Sequence, residues 1–420
     1  MIDILEDLRW RGLVAQSTDE TALREAVAAG PITLYCGFDP TAPSLHIGNL
    51  VQILTVRRLQ LAGHRPLALV GGATGLIGDP KMTGERTLNQ PDVVAGWVER
   101  IRRQIEPLLD FDGPAAAVMV NNLEWTAPMS AIDFLRDVGK HYRLGTMLAK
   151  DTVARRLNSD QGISFTEFSY QILQGMDYLE LHRRYGATLQ TGGNDQWGNL
   201  LSGVELIRKV ARSQVHALTT PLITKADGTK FGKTETGTVW LDPDLTSPYA
   251  FYQFWLNADD ADVVGYLKVF TFRTHDEIRA LERALAERPA AREAQRALAG
   301  DVTTLVHGAR ATANVVAASQ ALFGRGNLTD VDEPTVSAAF AELPRAHGAV
   351  GDLVVDLMAA SGLVTSKGAA RRALADGGVY LNNVKVMDEG VQLRRENLIH
   401  GRWALLRRGK RTLAVVDVGA

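Results

Sequence analysis

From Ile32 to Ala62 the chain passes from an apolar run, through a turn of small residues, into a segment with apolar residues at helical spacing. The turn reads Pro40-Thr41-Ala42-Pro43-Ser44-Leu45-His46-Ile47-Gly48-Asn49. A strand that turns this sharply into a helix presents the first N–H groups of the helix, and the helix dipole makes that spot suit a phosphate. Further apolar runs follow at Pro66–Gly71, Ala115–Val120 and Thr188–Gly192, with helical segments between them. Strands alternating with helices predict a parallel sheet whose ligands gather at the strand C-terminal ends. The expected fold is therefore α/β, with a Rossmann-like parallel-sheet catalytic domain over residues 1–222.

A second stretch, Lys230-Phe231-Gly232-Lys233-Thr234, carries two lysines between glycines at 228, 232 and 237. A mobile lysine loop can close over phosphates from the side opposite the helix start. His46 and Asn49 are three apart, so they share a helical face and can both donate to phosphate oxygens. Gly48 lets a nucleotide approach the backbone closely. Lys230 and Lys233 can hold phosphates as point charges, and Thr234 adds a hydroxyl.

From Ser247 to Phe323 strand-like runs vanish and Ala, Leu, Glu and Arg dominate. Thr274 with Glu277 forms a capping box opening a helix that ends near Arg288-Pro289. Residues 223–325 are expected to hold the lysine loop and a helical domain, and residues 326–350 a linker with one short helix. Residues 351–420 form a separate unit. It holds eleven Lys and Arg against seven Asp and Glu, while the whole chain carries a formal charge of -2. That local excess of four positive charges, on a short helix bearing Lys367, Arg371 and Arg372 and on the following strands bearing Lys385, fits a phosphate backbone.

The chain has 420 residues, enough for two or three domains. Its single cysteine, Cys36, excludes an intrachain disulfide and points to a reducing compartment. No apolar run approaches the ~18 residues of a membrane span. The first residues lack the pattern of a signal peptide. A cytoplasmic protein is the expectation. Histidines are scattered, so no protein metal site is expected.

Together these stretches resemble the HIGH and KMSKS signatures of class I aminoacyl-tRNA synthetases. The text between them resembles the bacterial-type tyrosine-specific branch, notably Tyr35-Cys36-Gly37-Phe38-Asp39-Pro40-Thr41, Gly75-Leu76-Ile77-Gly78-Asp79-Pro80, the run from Glu167 to Asp177, and the run from Gln190 to Asn199. Residues 366–372 and 378–382 resemble the S4-type RNA-binding fold, a small α+β domain. The resemblance implies ATP-dependent activation of L-tyrosine, then transfer to tRNA(Tyr). Helical domains in this place bind the anticodon arm in the family, and the family is a homodimer. Magnesium would arrive with ATP and be held largely by phosphates and water.

Tyr170, Gln174 and Asp177 fall at i, i+4 and i+7, so they line one face of a helix. A phenol needs an acceptor for its proton and a donor to its oxygen. Asp177 can accept and the Tyr35 hydroxyl can donate. An α-ammonium needs acceptors, which Asp79, Tyr170 and Gln174 can supply. The resemblance adds Gln196 beside the ammonium or carboxylate, and places Asp39, Thr41 and Arg86 beside ATP. Two departures stand out. Asn49 replaces the usual second histidine, and the loop Lys81-Met82-Thr83-Gly84-Glu85-Arg86 is one residue shorter than the family pattern. Activation of tryptophan on the same fold, a small-metabolite nucleotidyltransferase and a non-catalytic RNA-binding factor are the alternatives.

Overall fold

The structure is a computed structural model that describes residues 3–80, 87–160, 162–225, 228, 231–234, 237–409 and 412–419. Of Asp151, Thr152, Lys233 and Thr234 it describes the backbone alone. Lys81, Arg86 and Lys230, all singled out in the sequence, lie outside the described residues.

The chain divides into two compact units. One holds residues 1–245 and 259–294, and the other residues 246–258 and 295–420. The first is built on a sheet of six strands: β1 (Gln16–Ser17), β2 (Thr33–Phe38), β3 (Arg65–Val70), β4 (Val118–Asn121), β5 (Ala187–Gly193) and β6 (His216–Thr220). Their order is β1-β6-β5-β2-β3-β4. All neighbours run parallel except β1, which pairs antiparallel with β6 at the edge. The central strands are buried on both faces, which explains why they read as continuous apolar runs. Chain order reverses at β2, whose neighbours are β3 on one side and β5 on the other. The crevice beyond the C-terminal ends of β2 and β5 is therefore where this topology leaves room for a ligand.

Two helices frame that crevice. Ile47–Leu61 follows β2, and Phe165–Tyr185 precedes β5. The second opens on Ser164, whose hydroxyl accepts from the Glu167 N–H at 3.3 Å, and closes on Gly186 in the left-handed region. The next helix, Trp197–Val210, packs across it at Gly203. A Cβ there would lie 2.8 Å from the Tyr178 ring, so only glycine allows the close crossing.

The helical segment expected after the lysine loop is present, and the Thr274–Glu277 capping box opens the helix His275–Glu287. Its allegiance differs from the sequence expectation, because residues 259–294 pack with the sheet. Two buried arginines explain this. Arg58 donates to the carbonyls of Val269 (2.9 Å) and Thr271 (2.6 Å), and Arg11 to those of Lys268 (3.0 Å) and Arg273 (2.9 Å). Their guanidinium groups satisfy the unpaired carbonyls at the end of the helix Val263–Phe270.

The second unit carries the helices Pro248–Leu256 and Glu293–Ala321, the latter broken at Gly308. It also carries a five-stranded sheet of β9 (Arg345–His347), β10 (Val379–Leu381), β11 (Val384–Lys385), β12 (Trp403–Arg408) and β13 (Thr412–Asp417), in the order β11-β10-β12-β13-β9. Asn382 and Asn383 both have positive φ, as the two-residue turn joining β10 to β11 requires. The helices Val354–Ala360 and Lys367–Ala375 bury Val354, Met358 and Ala370 against Val379, Leu406 and Ala414. The segment expected to be a linker contains β9, which pairs parallel with β13. Asp417 of β13 accepts from Arg402 (2.9 Å) and Arg345 (3.4 Å), clamping β9 to the sheet. This small domain thus begins before residue 351.

Candidate functional site

A cleft of about 450 Å³ opens where the topology leaves room. Its walls include Tyr35, Asp39, Thr41, His46, Gly48, Asn49, Asp79, Tyr170, Gln174, Asp177 and Gln196, all singled out in the sequence.

At the helix start, His46 is the N-cap. Its Nδ1 accepts from the Gly48 N–H at 3.0 Å, and its own N–H donates to Asn49 Oδ1 at 3.1 Å. Asn49 therefore completes a capping box in the place of the family's second histidine. Burial pushes the His46 pKa down, so the ring is neutral near pH 7. An accepting Nδ1 fixes the proton on Nε2. His46 is at once a cap and part of the cleft wall with Nε2–H left to donate, and Asn49 keeps its amide N–H groups for a ligand. A Cβ at Gly48 would lie 2.8 Å from the His46 ring, so this glycine is required by the imidazole as well as by any nucleotide.

The lysine stretch reaches the same place. β7 (Lys233–Thr234) and β8 (Gly237–Thr238) form a hairpin in which Lys233 is opposite Thr238. The returning chain bridges His46 at Trp240, with Ile47 N–H donating to Val239 O (3.3 Å) and Leu241 N–H to Leu45 O (2.9 Å). Gly232 has φ near +86°, and a Cβ on it would lie 2.8 Å from Ile47. Phe231 anchors the turn among Tyr266 and Phe270, with ring centroids 4.4 and 5.5 Å away. The backbones of His46 and Lys233 are thus linked through one short strand.

Deeper in the cleft, the helical stripe behaves as its spacing requires. The Tyr170 hydroxyl donates to Asp39 Oδ2 at 2.7 Å, and the Thr74 hydroxyl to Asp39 Oδ1 at 2.6 Å. Asp39 was expected beside ATP, and in this structure its carboxylate also orients Tyr170. A Cβ at Gly71 would strike Asp39 and Thr74, so the glycine-rich turn after β3 serves close packing here. Gln196 Nε2 donates to Asp79 Oδ2 at 2.9 Å and Asn199 Nδ2 to Asp79 Oδ1 at 3.1 Å.

Asp177 is buried at the cleft floor and accepts from Asn122 (2.9 Å) and Trp125 (2.8 Å). Burial pushes its pKa up to about 7, against the pull of those two donors. Tyr35 is 1 % exposed and its hydroxyl has no hydrogen-bond partner among the described residues; Gln174 Oε1 and Gln190 Oε1 are likewise buried without one. Unpaired buried polar atoms cost ~1–3 kcal/mol each. A polar ligand that pairs them would recover that cost. Cys36 lines the cleft, but burial pushes its pKa up to about 12, so the thiol is inert packing.

Sequence reasoning missed Asn122, Trp125, Thr74, Gln190 and Asn199. Asn122, Trp125 and Thr74 meet their partners across the fold, and Gln190 and Asn199 lie in a stretch that the resemblance marks without giving them a role. In the second unit, Lys367 pairs with Asp356 (2.9 Å) and Arg371 with Glu389 (3.1 Å), both at the surface. Arg372 and Lys385 are exposed. Exposed pairs of this kind are weak.

A Rossmann-like crevice with a capped histidine at the helix start, bridged to a lysine hairpin, is the arrangement that the sequence resemblance to class I aminoacyl-tRNA synthetases leads one to expect. The family described as tRNA synthetases class I (W and Y) matches residues 28–324, and the tyrosine–tRNA ligase SYY-like C-terminal domain matches residues 335–416. The chain belongs to the tyrosine–tRNA ligase family of class I tRNA synthetases. It is 67% identical over 419 residues to a tyrosine–tRNA ligase of Streptomyces avermitilis, covering 100% of this chain and 99% of that one. It is 57% identical over 418 residues to one from Mycobacterium bovis, covering 99% and 98%. Among solved structures, a C-terminally truncated mitochondrial tyrosyl-tRNA synthetase of Aspergillus nidulans superposes with a TM-score of 0.71 at 29% identity, over 77% of this chain and 95% of that one. A tryptophanyl-tRNA synthetase of Encephalitozoon cuniculi, at 14% identity and TM-score 0.56 over 74% and 87%, shares the fold alone.

Proposed function

We propose that this chain activates L-tyrosine with ATP and transfers it to the 3′ end of tRNA(Tyr), and that the residues of this cleft carry the first step. The tyrosine carboxylate attacks the α-phosphorus and pyrophosphate leaves. No protein nucleophile is needed; alignment and positive charge are. His46 Nε2 and the Asn49 amide donate to phosphate oxygens from the helix start. Lys233, on the hairpin bridged to His46, with Lys230, balances charge on the departing pyrophosphate, and Thr234 adds a hydroxyl. Asp39, Thr41, Gly48 and Arg86 complete the ATP side. Tyr170, Gln174, Asp79 and Gln196 receive the α-ammonium and carboxylate of tyrosine. Its phenol donates to Asp177 and accepts from Tyr35. In the second step a terminal ribose hydroxyl attacks the acyl carbon and AMP leaves.

The observation that carries this reading is one cleft lined by both an orphaned Tyr35 hydroxyl and the buried Asp177 carboxylate. Phenylalanine would leave the buried Tyr35 hydroxyl unpaired and bring Asp177 no donor, which is a penalty. The test is charging of tRNA(Tyr) with labelled tyrosine, which should require ATP and magnesium. Among the described residues no three or more His, Cys, Asp or Glu form a group able to hold a metal. Magnesium is read as arriving with ATP, ligated by phosphates and water.

Lys367, Arg371, Arg372 and Lys385 are read as phosphate partners for tRNA. Replacing Arg371 and Arg372 together by alanine should raise KM for tRNA. It should also reduce the slope of log affinity against log salt by about one for each arginine replaced. Pyrophosphate exchange should not change. A salt slope equal to that of the unaltered chain would remove the assignment.

The chain is also read as a homodimer. Ile132, Leu135, Leu144 and Phe165 are 69%, 54%, 66% and 72% exposed, and all belong to the first unit. Apolar exposure on this scale suits a second copy. Sedimentation should give twice the 45.7 kDa chain mass, and Phe165→Asp should halve it. A monomer at micromolar concentration would refute the dimer. Among the described residues no helix is long and apolar enough to cross a membrane.

A further inference from the structure

Beside the main cleft lies a second chamber of about 570 Å³. Asp79, Pro80, Asp195 and Gln196 belong to the walls of both. The chamber therefore adjoins the end of the cleft assigned to the ammonium and carboxylate of tyrosine. Gln171 lines it, and the tyrosine reading leaves this residue without a role. Its side chain is 4 % exposed, and both ends of its amide, Oε1 and Nε2, are buried without a hydrogen-bond partner. A donor and an acceptor left unpaired on one buried side chain carry two desolvation costs that nothing inside the protein offsets. No internal bond fixes the terminal torsion either, and that torsion is broad in glutamine, so the amide can turn toward an entering group.

A ligand that matches such an amide needs one donor beside one acceptor on a flat edge. Adenine has this edge: its 6-amino group donates to the glutamine oxygen while N7 accepts from the glutamine NH₂. Two further residues of the chamber suit a nucleotide. The half-buried indole of Trp197 is a surface on which a base can stack. Lys150 Nζ donates to Gly198 O and Ser202 Oγ, both at 2.6 Å, which leaves one N–H of the ammonium. Among the described residues Lys150 forms no ion pair, so its charge suits a phosphodiester.

We propose that this chamber takes the adenine of the 3′-terminal adenosine of tRNA, read by the Gln171 amide. Base and ribose of one nucleotide are a single bond apart. A base held here leaves its ribose at the wall shared with the main cleft, where the acyl carbon of the adenylate is to be attacked. Gln171 is thus a binding residue of the second step, and it orients the attacking hydroxyl through the base. This inference rests on the tyrosine reading and deepens it.

The test is single-turnover transfer from preformed tyrosyl-adenylate to tRNA(Tyr), with either the natural 3′ end or one ending in purine riboside, which lacks the 6-amino group. The unaltered chain should transfer to the altered end roughly 10–100-fold more slowly. Gln171→Leu keeps the volume without the amide. It should show that loss with the natural end and no further loss with the altered one. It should melt no lower than the unaltered chain, because it gives up no hydrogen bond. Equal transfer to both ends by the unaltered chain would overturn the inference, whether or not the variant folds. So would an undiminished penalty for the altered end in folded Gln171→Leu, or a variant that melts well below the unaltered chain, which would show the amide already paired within the protein. A raised KM for ATP in place of slower transfer would give the chamber to the nucleotide of the first step and overturn it too. Absence of tyrosine-driven pyrophosphate exchange in the unaltered chain would instead overturn the reading beneath.

Discussion

Replacing Lys233 by alanine should slow adenylate formation by about 10²–10³-fold while leaving tyrosine affinity unchanged. The charge that builds in the transition state is on the phosphates, and tyrosine in the ground state does not need this lysine. The backbone argument is direct. Lys233 is opposite Thr238, two residues before the Trp240 that bridges His46. Strand residues two apart lie about 6–7 Å from one another and face the same side. The Lys233 backbone is therefore one short strand away from the capped histidine. Because it contributes only as the α–β phosphate bond breaks, the loss should fall on kcat with KM for tyrosine preserved. Single-turnover fluorescence or rapid quench reads this directly. A rate within a factor of three of the unaltered chain would remove Lys233 from the mechanism.

Asp177→Asn should weaken tyrosine binding by ~1.5–3 kcal/mol and erase most of its preference over phenylalanine. The asparagine keeps one acceptor oxygen, but its NH₂ then faces the N–H donors of Asn122 or Trp125. The unaltered protein should also show a pH dependence that the variant lacks. The Asp177 carboxyl, held near pKa 7, is protonated at pH 6 and ionised at pH 8. A phenol that donates to it requires the ionised form, so tyrosine affinity should rise between those pH values. The stability effect has the opposite sign. With its folded pKa raised, Asp177 favours the folded state below pH 4, and that contribution is lost as pH rises toward 7. Calorimetry with circular dichroism separates the two. A flat affinity profile from pH 6 to 8 would place the phenol elsewhere.

Some of this was legible in the sequence, for reasons the fold makes plain. β2 and β3 could be read because strands buried on both faces are continuous apolar runs. The stripe Tyr170, Gln174 and Asp177 could be read because helical periodicity alone puts them on one face. β1 has two residues, and β9 buries only Ala346 between exposed Arg345 and His347, too little for any period. The allegiance of residues 259–294 was hidden because Arg11 and Arg58 hold them through backbone carbonyls, which leave no mark on the acceptor's sequence. Asn122 and Trp125 were hidden because each acts on a partner about fifty residues away. Their types carry no signal until the strands bring them together.

Exchange of labelled pyrophosphate into ATP, driven in turn by each of the twenty amino acids, tests the central claim most directly. L-Tyrosine should drive it, with tryptophan and phenylalanine lower by orders of magnitude. Exchange driven by tryptophan in place of tyrosine, or by no amino acid at all in folded protein, would contradict it.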